Sequence, residues 1–506
     1  MVEVELSLAP SDWDALRSET RSLWDTFSGD CLAEPFDSPF DWTVASATID
    51  GVDLGPVGLR KKGFFGSLDR DRPSLKLALD RVQGDTGYGG FTKLTLNNGD
   101  SDPTGLRTCL AYETYAAAGV LTPRCTLAHV VVNGEDLGVY ANVEPVDEDF
   151  LTRRGLSPEG GLFEGALSDF RDGWTTTFDP KTDTSDVGRL GRVVAAIDTG
   201  DLDAIAEVVD LDAYLDFWAT EVLVGQWDSY DTNTNNFFVY DDPSTGQLRF
   251  IPWGPDATFD SQAPFDPAWV SANSALARRV LAAPGGEDAY RAHLEALLDD
   301  VWDGDAMAAE VDRLALLAEP LQGDGGQGAV QDLRAIVEGR EAALRAGLAA
   351  EPNGRTGALR DPPCFVERGK LTATFATTWG TLGEAPAETG STTVQLTWDG
   401  ADLGTTPKGV IAGAQGEEAV IATYATLSDG RDLVAYAYFP VEQLAPGRLP
   451  FDFLDVVGVL QFADGASPPK LAAYVGAGQV VLDDAGPASG DVVRGRVEGT
   501  LFSFGW

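Results

Sequence analysis

Histidine, lysine and methionine are scarce in this chain: two histidines, eight lysines and two methionines among 506 residues. His129 falls in the apolar run LAHVVVNG and His293 in RAHLEALL, so both read as structural. Histidine-based nucleophile triads and His-rich zinc sites are therefore poor candidates. The four cysteines, Cys31, Cys109, Cys125 and Cys364, show no CxxC or Cys/His metal spacing. They allow three pairings if all are bridged. Cys109 on an expected helix and Cys125 at the head of the next strand are bridgeable, which suits an oxidising compartment. No apolar run approaches the roughly 20 residues that cross a bilayer, so no membrane span is expected. The opening MVEVELSLAPSDWDAL reads as a strand entering a capped helix, not as a secretory signal. Positive charge is short as well: 36 Lys and Arg face 80 Asp and Glu, a formal charge of −44. Such a surface repels nucleic acid and anionic lipid and favours basic partners or a salty medium. What remains for chemistry is carboxylates, amides and a few lysines.

The length exceeds one core and predicts two or three domains. Residues 1–150 read as a mainly antiparallel sheet with one inserted helix, DPTGLRTCLAYETYAAAG, and hairpin turns at Asp50-Gly51 and Asn133-Gly134. Residues 151–350 become helical and carry one hairpin. The Gly/Pro-rich EPNGRTGALRDPPCF marks a break at about 351–364. Residues 365–506 hold short alternating runs such as LTATFATTW, TTVQLTWDG and EAVIATYATL, which predict an all-β, sandwich-like accessory domain.

The stretch from Glu221 to Asp260 organises the rest. A helix breaks at Gly225 and a polar loop holds Asp228, Asp231, Asn233, Asn235 and Asn236. Two strands follow, around 237–240 and 248–253, and then Gly254-Pro255-Asp256. A hairpin thus brings carboxylates and amides to its open ends, and such oxygens are what Mg²⁺ accepts. The plainer reading is an Asn/Asp-rich turn with local caps. Four of the eight lysines, Lys61, Lys62, Lys76 and Lys93, crowd into one 33-residue stretch that could hold a polyphosphate, or simply form a solvated strand face.

Six ordered blocks resemble one family, the CotH-type spore-coat atypical protein kinases. They are VGLRKKGFFGS with PSLKLAL, LTLNNGDSDPTGLRTCLAYETYAAAGV, VVVNGEDLGVYANVEPVDEDFLTRR, GLFEG, QWDSYDTNTNNFFVYDDP and FIPWGPD. The resemblance implies an α+β fold of reduced kinase type: a mainly antiparallel N-lobe and a helical C-lobe, with the β-rich domain following. It implies ATP and Mg²⁺, transfer of the γ-phosphate to a Ser/Thr hydroxyl of a protein substrate, possibly basic and Ser-rich, and an extracellular or cell-envelope location. Position by position it implies Lys76 on the phosphates, Arg60 and Lys61 near the covering loop, and Glu144 at the nucleotide-base side. Asp228 would orient or deprotonate the acceptor. Asn233, Asn235 or Asn236, with Asn236 preferred, and Asp256 would hold the metal. Two departures stand out. The family's PWDxD is here Pro252-Trp253-Gly254-Pro255-Asp256, and the glutamate after the arginine of its helix block is Thr108 beside Arg107. They imply either a rearranged site or a pseudokinase serving as a surface-binding protein. A carboxylate-pair hydrolase has only acid abundance behind it.

Overall fold

The computed structural model describes the chain apart from residues 85, 261–268, 320–325, 351–358, 454, 465–467 and 505–506. It resolves into two compact units, one of residues 1–21 and 32–360, the other of residues 22–31 and 361–506. The expected break at 351–364 falls partly on 351–358, outside the described residues.

The first unit begins with a closed barrel of β1 (Val2–Ser7), β2 (Thr43–Ile49), β3 (Val52–Lys61), β4 (Leu75–Ala78), β5 (Lys93–Asn97), β6 (Cys125–Val132) and β7 (Glu135–Val143). Alternation drives it. Val4, Leu6, Ala47, Ile49, Val57, Leu59, Leu75, Leu77, Leu94, Leu96 and Val130 turn inward and are buried together. Closure comes from β1, antiparallel to β2 but parallel to β6. The Asp50-Gly51 and Asn133-Gly134 turns adopt positive φ at all four residues, the geometry that suits a two-residue hairpin. Helices α1 (Pro10–Ser18) and α2 (Leu23–Phe27) follow β1, and the short α3 (Asp80–Gln83) follows β4.

Helix α4 (Arg107–Ala117) is inserted between β5 and β6. Its Leu110, Tyr112 and Tyr115 share one buried cluster with Leu127 and Val139 of the barrel and with the helical region beyond. Cys109 of α4 is bridged to Cys125 at the head of β6. After α5 (Glu148–Arg153), a four-stranded sheet runs in the order β11 (Leu248–Pro252), β10 (Phe237–Asp241), β8 (Gly161–Gly165) and β9 (Asp179–Pro180). Around it pack α6 (Gly191–Thr199), α7 (Leu202–Ala206), α8 (Leu211–Val224), α9 (Tyr230–Asn233), α10 (Ala275–Ala282), α11 (Gly286–Asp300), α12 (Gly304–Ala318) and α13 (Gly326–Ala349). Helix α8 is the central element. Trp218 lies 4.0 Å from the Tyr290 ring centroid, and its Nε1–H donates to the Ser271 carbonyl at 2.8 Å.

In the second unit, α14 (Pro386–Thr389) and ten strands carry a separate apolar core. The strands are β12 (Val366–Thr378), β13 (Gly390–Trp398), β14 (Ala401–Leu403), β15 (Thr405–Gln415), β16 (Glu418–Leu427), β17 (Asp432–Pro440), β18 (Gly447–Pro450), β19 (Val457–Ala463), β20 (Lys470–Asp484) and β21 (Val492–Ser503). The region is all-β in character as expected, and the ten described strands join one antiparallel sheet, with β18 paired to β20 off the main path. Residues 22–31 join this unit through the Cys31–Cys364 disulfide and the stacking of Trp24 on Phe365 and Phe453.

The Cys109–Cys125 bridge closes a loop of sequence separation 16 and tethers α4. Replacing both cysteines with alanine is expected to destabilise the first unit by about 3 kcal/mol, through the freedom returned to the unfolded chain. The midpoint of guanidinium unfolding checks it, and an unmoved midpoint would contradict it.

Candidate active site

The loop of interest leaves α8 at a fixed angle. Gly225 sits at φ +67° as the left-handed stop, and its N–H donates to the Val222 carbonyl. Arg340 of α13 then covers the helix end, its Nε on the Leu223 carbonyl at 3.0 Å and its Nη2 on Val222 at 2.5 Å. A guanidinium there adds donors to the last carbonyls of the helix and opposes the negative end of the dipole.

From that anchor the chain folds around the Asp228 carboxylate. Asn233 Nδ2 donates to Oδ1 at 2.5 Å, and Asn235 Nδ2 lies between Oδ1 at 3.1 Å and Oδ2 at 3.2 Å. Asn236 Nδ2 reaches Oδ2 at 2.7 Å and the Asp228 carbonyl at 2.9 Å. Thr234 and Asn236 take left-handed backbone, φ +53° each, which lets three asparagines in four residues converge on one acid. Asparagine tolerates that conformation far better than a branched residue does.

Of the expected metal residues, Asn233 is not available, because Arg360 donates to both its backbone carbonyl, at 2.7 Å, and its Oδ1. A guanidinium on that oxygen excludes a second cation. Asn235 Oδ1 accepts from the Leu167 N–H at 3.3 Å. Asn236 differs: its Oδ1 faces Gly254, 3.1 Å from where a Cβ on that glycine would stand. Gly254 turns at φ +51°, and its N–H donates to the Tyr112 hydroxyl of α4 at 3.2 Å. A side chain at 254 would be strained and would crowd Asn236. Glycine here is thus a local requirement, and the acid follows two residues later as Asp256. Burial, then the neighbouring Asp228, push the half-buried Asp256 carboxyl up to about 6, while Lys62 opposes them.

The lysine that reaches this group is Lys62, not Lys61. Strand alternation turns Lys61 inward with Leu59, where Nζ donates to the Arg17, Glu19 and Leu68 carbonyls at 2.9, 2.7 and 3.2 Å. At 1% exposure, with all three protons bonded, it cannot serve a ligand. Lys62 donates to Asn97 Oδ1 and stands 5.8 Å from the Trp253 ring centroid. Burial draws it down to about 8, against the pull of Asp256 and Glu164. Lys76 pairs across the sheet with Arg60, so both share the face that Lys62 continues. Burial, then Arg60, lower Lys76. Arg60 stacks 4.9 Å from the Trp42 centroid, and its buried Nε has no hydrogen-bond partner among the described residues.

Glu164 of β8 supplies the carboxylate for these cations. It is ion-paired to Lys181 at 2.6 Å. Burial raises it, and Lys181, then Lys76 and Lys62, outweigh burial and hold it below the ordinary glutamate value. Helix α4 has Thr108 rather than a glutamate beside Arg107, and the acid whose charge acts on Lys76 and Lys62 is Glu164 of a strand. Arg107 instead contacts Asp102, Nε to Oδ1 at 3.6 Å, and Asp260, Nη1 to Oδ2 at 3.9 Å. Glu144, expected at the nucleotide-base side, is enclosed by Arg124, Arg153 and Arg154 at 3.2, 2.8 and 2.8 Å. Burial alone would raise it, but those guanidinium groups bring it down to about 2. Its carboxylate braces three arginines and leaves no face for a base.

Beneath the loop lies a buried acid pair. Asp231 Oδ1 accepts from the Tyr214 hydroxyl at 2.7 Å and from the Ser274 hydroxyl at 2.6 Å. Glu221 Oε2 accepts from the Ser229 hydroxyl at 2.8 Å and the Asp231 N–H at 3.3 Å. Burial pushes Asp231 up to about 7, and burial with the Asp231 charge raises Glu221. A raised carboxyl keeps its proton in the folded state after the unfolded chain has lost it, so its contribution to stability falls as pH rises from about 4 to about 7. Asp231→Asn keeps the acceptor and removes the titration. The melting temperature of this variant relative to wild type is expected to climb across that window, and a flat difference would contradict the assignment.

No three His, Cys, Asp or Glu side chains gather as a metal cage among the described residues. The donors present are Asp256, Asn236 Oδ1 and the neighbouring Asp228, which suits Mg²⁺, an ion that takes one or two carboxylates and completes its shell with phosphate and water. Sequence reading named Lys62 only as one of the clustered lysines, without choosing it over Lys61, and missed Glu164 and Lys181 as site residues. The period-2 alternation of β3 was the available signal for Lys62; none pointed to the other two.

Comparison with known proteins agrees with the six blocks. The family model described as CotH kinase protein matches residues 59–324, more than half of the chain. The inner spore coat protein H of Bacillus subtilis is 27% identical over 213 residues, covering 39% of this chain and 58% of that protein. The spore coat protein homolog 1 of Rhizopus delemar is 22% identical over 253 residues, 44% and 41% of the two chains. The chain thus spans about half the length of these curated relatives. A crystal structure of the Helicobacter pylori proinflammatory kinase CtkA aligns with 52% of this chain and 90% of its own at 9% identity, with a TM-score of 0.28. With 59–324 carrying the barrel strands β4–β7, the asparagine-ringed Asp228 and Asp256, the chain belongs to the CotH kinase protein family.

Proposed function

We propose that this chain transfers the γ-phosphate of ATP to a Ser/Thr hydroxyl of a protein, with Mg²⁺. The observation that carries the reading is Asn236 joining Asp228 to the Gly254 turn that leads to Asp256, with Lys62 5.8 Å from the Trp253 ring centroid beside it and Lys76 and Arg60 on one strand face. Phosphoryl transfer depends on positioning and charge neutralisation more than on a strong base. Arg60, Lys62 and Lys76 bind the phosphates, with Glu164 and Lys181 fixing their directions. Asp256 and Asn236 Oδ1 are the residues that hold the metal, whose contribution is to neutralise phosphate charge. Asp228 accepts the hydrogen bond of the incoming hydroxyl. Its oxygens already receive four N–H contacts, which fills the usual capacity of a carboxylate. The hydroxyl therefore displaces one donor, and the bifurcated Asn235 contact is the weakest held. That same filled shell favours the second reading, a nucleotide-binding pseudokinase that serves as a surface scaffold.

The chain's charge of −44 suits a basic, Ser-rich substrate, by complementarity in the encounter. An envelope or extracellular location accords with the two disulfides and with relatives named as spore coat proteins. No described helix is long and apolar enough to cross a membrane.

Transfer of labelled phosphate from ATP to a Lys/Arg/Ser-repeat peptide is expected for the wild type and expected to vanish in Asp256→Asn. In Asp228→Asn it should fall by about 10²- to 10⁴-fold with nucleotide binding retained. Wild-type binding of Mg²⁺-ATP without any transfer would select the scaffold reading. Lys62→Met should weaken ATP binding with little change in melting temperature, whereas Lys61→Met should lower the melting temperature by leaving three part-buried carbonyls without their buried donor. The reverse pattern would contradict the assignment of the two lysines.

A further inference from the structure

We infer that Arg360 is a positioning residue that fixes the orientation of the Asn233 amide, and through it the hydrogen bonding of Asp228. The inference rests on the phosphotransfer reading, and Arg360 lies beyond the residues 59–324 that match the family.

Asn233 stands between a donor and an acceptor. Arg360 Nη1 donates to its Oδ1 and to its backbone carbonyl, while its own Nδ2 donates to Asp228 Oδ1 at 2.5 Å. A side-chain amide can rotate by half a turn about its last bond at little steric cost, because its oxygen and nitrogen are nearly equal in size. In this pocket that rotation would press an N–H group against a guanidinium and an oxygen against a carboxylate. Both contacts would change from attraction to repulsion, so guanidinium and carboxylate together permit one orientation. Removal of the guanidinium takes away one of the two groups that orient the amide and leaves Asp228 alone to hold its shortest donor.

The arginine is itself held in place. Its carbonyl accepts from Arg171 Nη1 at 2.9 Å. Arg171 pairs through Nε with the buried Asp169 at 2.7 Å and stacks 3.8 Å from the Trp174 ring centroid. Asp169 also accepts from the Tyr230 hydroxyl at 3.1 Å and the Ala275 N–H at 3.1 Å. One buried acid thus fixes the main chain of Arg360 and Tyr230, the first residue of the helix that ends at Asn233. Burial lowers Arg360 to about 10 and Asp228 opposes it, so the guanidinium stays charged at neutral pH.

The test compares wild type, Arg360→Met and Arg360→Lys in phosphate transfer to the Lys/Arg/Ser-repeat peptide, together with crystal structures of wild type and Arg360→Met. Misplacement of a reacting group on this scale is expected to lower kcat of Arg360→Met by about 10- to 100-fold, with KM for ATP unchanged. Lysine, with one donor direction in place of a planar fork, should restore part of the loss. Wild-type kcat in Arg360→Met would overturn the inference, as would a loss that appears equally in KM for ATP or that lysine fails to restore. In the crystal, the Asn233 Nδ2–Asp228 Oδ1 contact of 2.5 Å should lengthen in Arg360→Met, and an unchanged contact would also overturn it. If wild type transfers no phosphate, the phosphotransfer reading fails, and the Asn233–Asp228 distance in the two crystals still decides the role of Arg360.

Discussion

A half-buried carboxylate needs donors, and the first unit is arranged so that Asp228 obtains them from neutral amides. A cation would have served as well for stability, but it would have neutralised the charge that the proposed transfer presents to an incoming hydroxyl. Three asparagines supply the N–H groups without that cost, provided the backbone can bend enough to bring them to one point. Left-handed Thr234 and Asn236 make the bend, and the Arg340 cap on α8 fixes where it begins. Charge is kept one layer out, on Lys62 toward Asp256 and on Arg360 behind Asn233.

Against a net charge of −44, the site gathers a large share of the chain's few lysines. Lys62, Lys76 and Lys181 surround the single carboxylate of Glu164, with Arg60 beside them. Lys93 is ion-paired to Asp147 at 2.8 Å, and Lys61 has become an internal brace of the barrel. A local surplus of cations within an acidic molecule gives a polyanion one favourable place to settle, while the outer surface turns others away.

How far sequence could reach follows from the range of each interaction. The hairpin turns, the helix stop at Gly225 and the pairing of β10 with β11 are set by neighbours in the chain, and they were legible. Closure of the barrel was not, because β1 must find β6 more than a hundred residues away. Two adjacent lysines look equivalent in a list; only the pleat, which sets Lys61 with Leu59 and Lys62 with Arg60, separates them. The glycine at 254 read as a missing acid, yet its positive φ and the nearness of Asn236 Oδ1 make it a requirement of the turn that delivers Asp256. Glu164 lay in a recognised block, but its pairing with Lys181 depends on the β8–β9 contact, which no local pattern announces.

The central claim is that one cluster of residues receives both a nucleotide and its divalent ion. A crystal structure with Mn²⁺ and a non-hydrolysable ATP analogue tests it most directly, since the anomalous signal locates the ion independently of the nucleotide. The account predicts one manganese peak bound by Asp256 and Asn236 Oδ1, with the terminal phosphates against Lys62 and Lys76. Manganese bound elsewhere, or a nucleotide lodged away from Lys62 with Asp256 left unligated, would contradict it.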